Sequence, residues 1–215
     1  IVWMMMILGF AVTAGVAGHL LDPYSPARLV LVSGGVSAIA MVVTLLALAG
    51  LEGSGHGPDG LAEPQTAKPR FREALAQVWS EPAARQFTIF VALSMLAYSA
   101  QDLILEPFAG TVFGYTPGES TQLSGVQHGG VLAGMVLVAL AGHGFRGRRF
   151  GSLRAWTVGG CIASAGCLFG LALSGLVGPA WPFRATVFAL GVANGAFSIA
   201  AIGSMMRLAG EGRAS

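Results

Sequence analysis

Charged residues are scarce in this 215-residue sequence: they make up 10% of it, whereas soluble domains carry about 25%. Cysteine is limited to Cys161 and Cys167 within one apolar run, a pattern typical of helix packing rather than of a disulfide or a metal site. The sequence has no P-loop, no His-Glu-x-x-His motif and no nucleophile elbow. These absences argue against a soluble domain and give no indication of an enzyme.

Hydrophobic residues are abundant instead, at 54% of the chain with a mean hydropathy of +0.69. They lie in long runs, and about 20 helical residues are needed to cross a bilayer core of ~30 Å. We therefore predict an all-α polytopic membrane protein with six spans: about Ile1–Leu21, Leu29–Leu51, Pro82–Phe108, Thr121–Ala141, Leu153–Val177 and Phe183–Leu208. Because the first run opens without a Met, we expect the chain to be a fragment.

Connections rich in Lys and Arg alternate along the chain with connections poor in them, and this alternation predicts the orientation of the spans. The linker after the second span, the connection after the fourth span and the C-terminal tail are rich, so we place them in the cytoplasm. The connection between the third and fourth spans has neither residue and faces the opposite side. Gly50–Pro69 is predicted to be a flexible linker. The segment FREALAQVW that follows it predicts a short helix, either interfacial or soluble.

Two acids share one face of the third span, since Asp102 and Glu106 are four residues apart. Tyr98 lies one turn earlier on the same face. Pro107 predicts either the end of this helix or a kink. The acids are then either solvent-exposed groups at a helix end or a polar site in the outer half of the membrane. Acids inside a membrane usually line a cavity or a proton path, or face a polar partner.

His128 lies some eight residues into the fourth span, at ~12 Å from its outer end and at a depth similar to that of the acids. We expect Ser120 or Thr121 to cap this helix. Gln127 precedes the histidine, and Gly129 and Gly130 follow it. A neutral imidazole could ligate a metal, including the Mg of a chlorin, and glycine would let a flat macrocycle approach. The alternatives are a hydrogen bond to a neighbouring helix or a proton relay with the acids.

Small residues and basic residues complete the candidate set. Glycines at i and i+4 spacing predict close helix packing; they are Gly125, Gly129, Gly130, Gly134, Gly166, Gly170, Gly191 and Gly195. Asn194, alone in an apolar run, predicts an interhelical hydrogen bond. The basic connection GHGFRGRRFGSLRAW predicts a topological role or binding of anionic lipid headgroups; its cations are Arg146, Arg148, Arg149 and Arg154.

That basic connection resembles the motif between the second and third helices of each half of major facilitator transporters, although its usual acid is missing. The resemblance implies a partial major facilitator bundle. Residues 1–51 would be the last two helices of the N-terminal half, and 52–81 the central cytoplasmic linker with its interfacial helix. Residues 82–215 would then be the first four helices of the C-terminal half, so that helices five to ten of twelve are present.

Three stretches carry a closer resemblance, to the PucC family, the bacteriochlorophyll-delivery branch of that fold: ILGFAVTAGVAGHLLDPYSPARLV, AYSAQDLILEPFAGTVFGYTPGESTQLSGVQHGGVLAGM and FALGVANGAFSIAAIGSMM. The resemblance implies an assembly factor for the core or the peripheral light-harvesting antenna, which binds bacteriochlorophyll transiently and uses no free metal. Its site residues would be His128, which is also the possible Mg ligand, together with Gln127, Asp102, Glu106 and Gln101.

The resemblance also implies partners and a location. The partners would be antenna polypeptides, the reaction centre and the lipid bilayer, with no nucleic acid. The location would be the bacterial inner membrane, in its intracytoplasmic photosynthetic part. Two alternatives stay open: a proton-coupled transporter of a small solute that uses Asp102 and Glu106, and a structural scaffold that contacts the reaction centre and antenna through glycine-rich helix faces.

Overall fold

The computed structural model describes residues 2–49, 71–143 and 151–211. Within these ranges the chain is helical apart from short connections, and no strand is present. The helices are α1 (Val2–Leu21), α2 (Pro26–Ala49), α3 (Phe71–Ser80), α4 (Pro82–Phe113), α5 (Pro117–His143), α6 (Leu153–Val177) and α7 (Phe183–Glu211). The predicted all-α fold is therefore confirmed.

Six of the described helices, all except α3, are long and apolar enough to cross a membrane. Each corresponds to one predicted span, and α6 has the predicted bounds. The protein is a multi-pass membrane protein. The short helix predicted from FREALAQVW is also present as α3, while its interfacial position stays a prediction.

Helix α4 does not end at Pro107, so the alternative of a helix end there is wrong. The helix continues for six further residues to Phe113. Proline is tolerated inside membrane helices when other groups bond the backbone atoms that it leaves free. The end is set by Gly114, whose φ of 67° suits glycine, and the amide of Tyr115 donates to the carbonyl of Ala109 at 3.2 Å.

Helix α5 begins earlier than predicted, and Thr116 rather than Ser120 or Thr121 provides its cap. The amide of Thr116 donates to Oε2 of Glu119 at 2.9 Å, and the amide of Glu119 donates to Oγ1 of Thr116 at 3.2 Å. This reciprocal pair is a capping box, and Pro117 occupies the first helical position. The polar run PGEST is thus the first turn of the helix rather than a loop.

The described chain divides into two compact units, one formed by Ile1–Gly34 and Glu106–Ser215 and the other by Gly35–Leu105. In the first unit α5 packs between α1 and α7, and α6 packs on α7. Contacts along the helices show that α1 is antiparallel to α5 and that α7 is parallel to it. The second unit contains α3 and most of α2 and α4.

The α1–α2 turn, the α4–α5 loop and the α6–α7 turn meet at one end of the first unit, which we call the short-turn end. These are the three connections that are poor in Lys and Arg, so their meeting agrees with the predicted alternation. The linker 50–70 lies outside the described residues. So does the segment 144–150, with Arg146, Arg148 and Arg149. The division into major facilitator halves stays a prediction.

Candidate functional site

Helix α5 contacts α7 directly through backbone atoms, because both helices have glycine at the crossing. A Cβ on Gly130 would meet the carbonyl of Phe188, and one on Gly134 would meet the carbonyl of Val192. From the other side, a Cβ on Gly195 would meet the carbonyl of Val131. Gly191 likewise lies against the carbonyl of Gln127. No side chain fits between the two helices here, so this contact is a tight seam.

Helix α1 contacts α5 along a more varied path. At the short-turn end Gly18 faces Gln122, and one turn further Gly125 lies against Gly15, with its would-be Cβ 3.0 Å from the Gly15 nitrogen. Next along this path is the ring of Phe10 beside that of His128. Apolar packing completes the contact at its other end, through Ile7, Val131 and Met135. The outer half of this contact is small and polar, and the inner half is hydrophobic.

The imidazole of His128 is oriented by its own helix. Its Nδ1 lies 2.8 Å from the carbonyl oxygen of Ser124, one turn earlier. A carbonyl can only accept a hydrogen bond, so Nδ1 carries the hydrogen and Nε2 of the neutral ring has a free lone pair. This arrangement, with one ring nitrogen bonded to a carbonyl and the other available, is the one that metal-binding histidines usually have.

The described surroundings of His128 include an aromatic ring and an adjacent uncovered glycine. The ring of Phe10 meets it edge-on, with centroids 5.5 Å apart and an interplanar angle of 69°. Apart from its chain neighbours and its own helix backbone, no described residue has an atom within 4 Å of a Cβ placed on the adjacent Gly129. Gly129 therefore lies at open space rather than at a helix contact. The site is half-buried, ~16 Å along α5 from Pro117, which is deeper than the sequence alone indicated.

Gln127 is buried, with 2% of its surface exposed. Its carbonyl lies against Gly191, so this residue belongs to the tight contact with α7. His128, the next residue, contacts α1. The structure thus places these two predicted site residues on adjacent positions of α5 that meet different neighbouring helices.

The acids of α4 lie further inside their helix than the sequence indicated, because α4 continues to Phe113. Asp102 is ~16 Å and Glu106 ~10 Å from that end along the helix. Asp102 and Gln101 are half-buried, whereas Glu106 is exposed. Asp102 and Gln101 belong to the unit Gly35–Leu105 and His128 to the other, so a site shared between them stays a prediction. Among the described residues no three metal-ligating side chains lie together.

Sequence reasoning missed one group of site-forming residues, which is centred on Asp22. Thr116 Oγ1 donates to Oδ1 of this acid at 3.1 Å, and Gln122 Nε2 donates to Oδ2 at 3.5 Å. Gly118 packs directly against the carboxylate. The partners are 94 and 100 residues away in sequence, so no local pattern could have indicated them.

An aromatic group also lies at the short-turn end. Phe113 stacks on Phe183 with centroids 4.3 Å apart, and Phe108 and Tyr115 meet the same Phe183 ring at 5.9 Å. The guanidinium carbon of Arg184 lies 5.8 Å from the Tyr115 centroid. Tyrosine is enriched at membrane interfaces, so the position of Tyr115 agrees with the predicted depth of the short-turn end.

Two further predictions concern α6. Asn194 of α7 accepts a hydrogen bond from Ser164 Oγ at 2.9 Å, which confirms the predicted interhelical bond. Arg154, the described member of the basic group, is exposed near the start of α6. Its binding to lipid headgroups stays a prediction.

Comparison with known proteins gives one family and several relatives. The family model described as PUCC protein matches residues 1–215. The bacteriochlorophyll synthase 44.5 kDa chain of Rhodobacter capsulatus is 51% identical over 215 residues, which are 100% of this chain and 48% of that protein. Protein PucC of Rhodobacter capsulatus is 29% identical over 213 residues, covering 97% of this chain and 44% of the relative. Protein PucC of Cereibacter sphaeroides is 30% identical over 196 residues, which are 89% of this chain and 40% of that protein.

The chain therefore spans about half the length, or less, of the curated relatives that it matches. No solved structure matches it.

Proposed function

The chain belongs to the PUCC protein family, and from this membership we propose that it is part of an assembly factor for the photosynthetic antenna that binds bacteriochlorophyll through His128. The relative at 51% identity is named bacteriochlorophyll synthase 44.5 kDa chain, and this name supports the choice of ligand. The half-buried histidine in a membrane-spanning helix supports the choice of residue.

The hydrogen bond from Nδ1 of His128 to the carbonyl of Ser124 carries the proposal. It fixes the tautomer in which Nε2 is an acceptor, and a neutral nitrogen of this kind is a common metal ligand in proteins. When bound, bacteriochlorophyll would supply the central Mg and the flat macrocycle. The chain would supply the ligand nitrogen of His128, the edge of Phe10, and open space over Gly129.

The role that we propose is binding and hand-over to antenna polypeptides rather than catalysis. Asp102, Glu106 and Gln101 are candidate polar contacts for the pigment or for a partner segment. The location that follows is the intracytoplasmic photosynthetic membrane. Formation of bacteriochlorophyll from a precursor by the purified protein would contradict the non-enzymatic role.

Replacement of His128 tests the proposal. The intact protein is extracted gently from pigmented membranes as wild type, His128→Ala and the control His19→Ala, whose histidine is exposed at the end of α1. We expect His128→Ala to retain at least about tenfold less pigment, since loss of even a residue that only supports a metal ligand costs about 10- to 100-fold. Absorption and pigment extraction measure the amount retained.

Added imidazole provides the matched rescue, because it can replace the missing ligand nitrogen in His128→Ala but not a lost protein contact. We expect imidazole to restore part of the pigment binding of His128→Ala and to leave His19→Ala unchanged. Equal pigment in all three proteins would exclude His128 as the ligand. No pigment in any of them would contradict direct binding.

A further inference from the structure

The acid of the α1–α2 turn reaches the first turns of α5 at the short-turn end. Asp22 accepts hydrogen bonds from the hydroxyl of Thr116 on one oxygen and from the amide of Gln122 on the other, at 3.1 and 3.5 Å. Gly118 lies so close to the carboxylate that a Cβ there would collide with it. We call these four residues the Asp22 clasp.

Both sides of the clasp are themselves held in place. On the α1 side, Nη1 of Arg28 donates to the carbonyls of Asp22 and Pro23 at 2.7 and 3.1 Å. On the α5 side, Thr116 Oγ1 accepts the amide of Glu119 at 3.2 Å while it donates to Asp22. A hydroxyl has one hydrogen to donate and can accept as well, so this single group joins the capping box to the acid.

The same length of chain separates the clasp from the His128 site on both helices. Phe10 of α1 is twelve residues before Asp22, and His128 of α5 is twelve residues after Thr116, or ~18 Å in each case. Between them the helices meet at small residues: Gly18 lies against the backbone of Gly118 and Gln122, and Gly15 lies against Gly125. The clasp adds side-chain hydrogen bonds at one end of this contact, and directional bonds of this kind oppose sliding of one helix along the other.

We propose that Asp22 is a positioning residue for the His128 site: its carboxylate holds α1 against α5 in the register that places Phe10 beside His128. For the ligand this inference rests on the proposed function; for the clasp it rests on the α1–α5 contacts alone. Loss of the clasp loosens α1 from α5 and weakens the site without removing any group that touches the ligand.

An exchange of two side chains tests this role. Asp22→Asn removes the carboxylate charge, so the bonds to Thr116 and Gln122 lose their charge-assisted strength. Adding Gln122→Glu restores a donor and a charged acceptor with side chains of the same shape. A merely structural loss would not be repaired by this reversal. Thr116→Val removes the hydroxyl bond to Asp22 together with the cap of the Glu119 amide. Tyr24→Ala, at an exposed residue of the same turn, is the matched control.

The primary measurement is made on unloaded protein in lipid nanodiscs. Spin labels are placed at the exposed Val12 of α1 and Val136 of α5, with Cys161 and Cys167 replaced by Ala. We expect a narrow distance distribution in the parent and in Tyr24→Ala. The distribution should be broader in Asp22→Asn and in Thr116→Val, and narrow again in the Asp22→Asn, Gln122→Glu double variant. An unchanged distribution in Asp22→Asn, or no recovery in the double variant, would overturn the proposal.

The second measurement is pigment retention. Asp22→Asn should retain about fivefold less pigment, the change expected from one lost hydrogen bond, and the double variant should recover it. If the distances change as expected but no variant binds pigment, the clasp stands and the proposed function is wrong. If His128→Ala loses pigment while Asp22→Asn changes neither distance nor pigment, the clasp has no positioning role and the proposed function stands.

Discussion

Helix α5 packs against α1 and α7 in the first unit, and its contacts with these two helices differ in composition. Against α7 it uses Gly130 and Gly134 facing Gly191 and Gly195, so backbone meets backbone and nothing can be added. Against α1 it also has close glycine contacts, at Gly18 and Gly125, but it adds side-chain packing and the polar clasp. The contact with α7 therefore has the least room for a side chain, whereas the contact with α1 carries the candidate site.

Filling the tight contact should have the largest effect. Gly195→Val would place a side chain into the carbonyl of Val131, and backbone cannot move aside as a flexible side chain can. We expect a loss of about 3 kcal/mol or more in unfolding free energy, the upper range for overpacking. Unfolding in mixed detergent micelles measures it. Gly166→Val, at a position with no neighbour within 4 Å, is the control, and equal losses in both would contradict the tight seam.

A methyl group in the contact with α1 should have an intermediate effect. In Gly125→Ala the new Cβ would lie about 3.0 Å from the Gly15 nitrogen, so α1 has to move by a few tenths of an ångström. We expect a loss of about 1 kcal/mol, against about 3 kcal/mol for Gly130→Ala, whose Cβ meets the Phe188 carbonyl. The same unfolding assay compares them. If both variants lose the same unfolding free energy, the two contacts do not differ in rigidity.

The gap beside His128 should give the smallest effect on stability and a clear effect on binding. Gly129→Ala adds a methyl group where no other residue lies within 4 Å, so stability should stay the same or rise by about 0.5–1 kcal/mol. If the pigment lies over Gly129 as we propose, the methyl group takes part of its space, so pigment retention should fall. Retention equal to that of wild type would show that the ligand does not approach over Gly129.

The sequence predicted the number and type of the long helices because each needs only a local apolar run. Helix ends were harder to predict. Hydropathy placed the start of α5 at Thr121, although the capping box of Thr116 and Glu119 is a local signal for the earlier start. For α4, proline suggested either an end or a kink at Pro107, but hydropathy does not reveal which other groups bond the backbone that a proline frees.

The candidate site was predictable only in its local part. A histidine between glutamine and glycines in an apolar run indicated His128, and its carbonyl partner Ser124 is one turn away in the same helix. Phe10 and Asp22 could not be identified, because three further helices separate them from their partners in the sequence. Pairings of this kind depend on helix packing, which a single sequence does not specify.

The hydrogen bond between His128 and Ser124 has a consequence for protein design. Donor and acceptor are four residues apart in one helix, so the bond that orients the ring is formed within α5 itself. The five residues from Ser124 to His128 are therefore a portable ligand module. Grafted into another membrane helix that leaves an adjacent glycine uncovered, they would present the same nitrogen in the same tautomer.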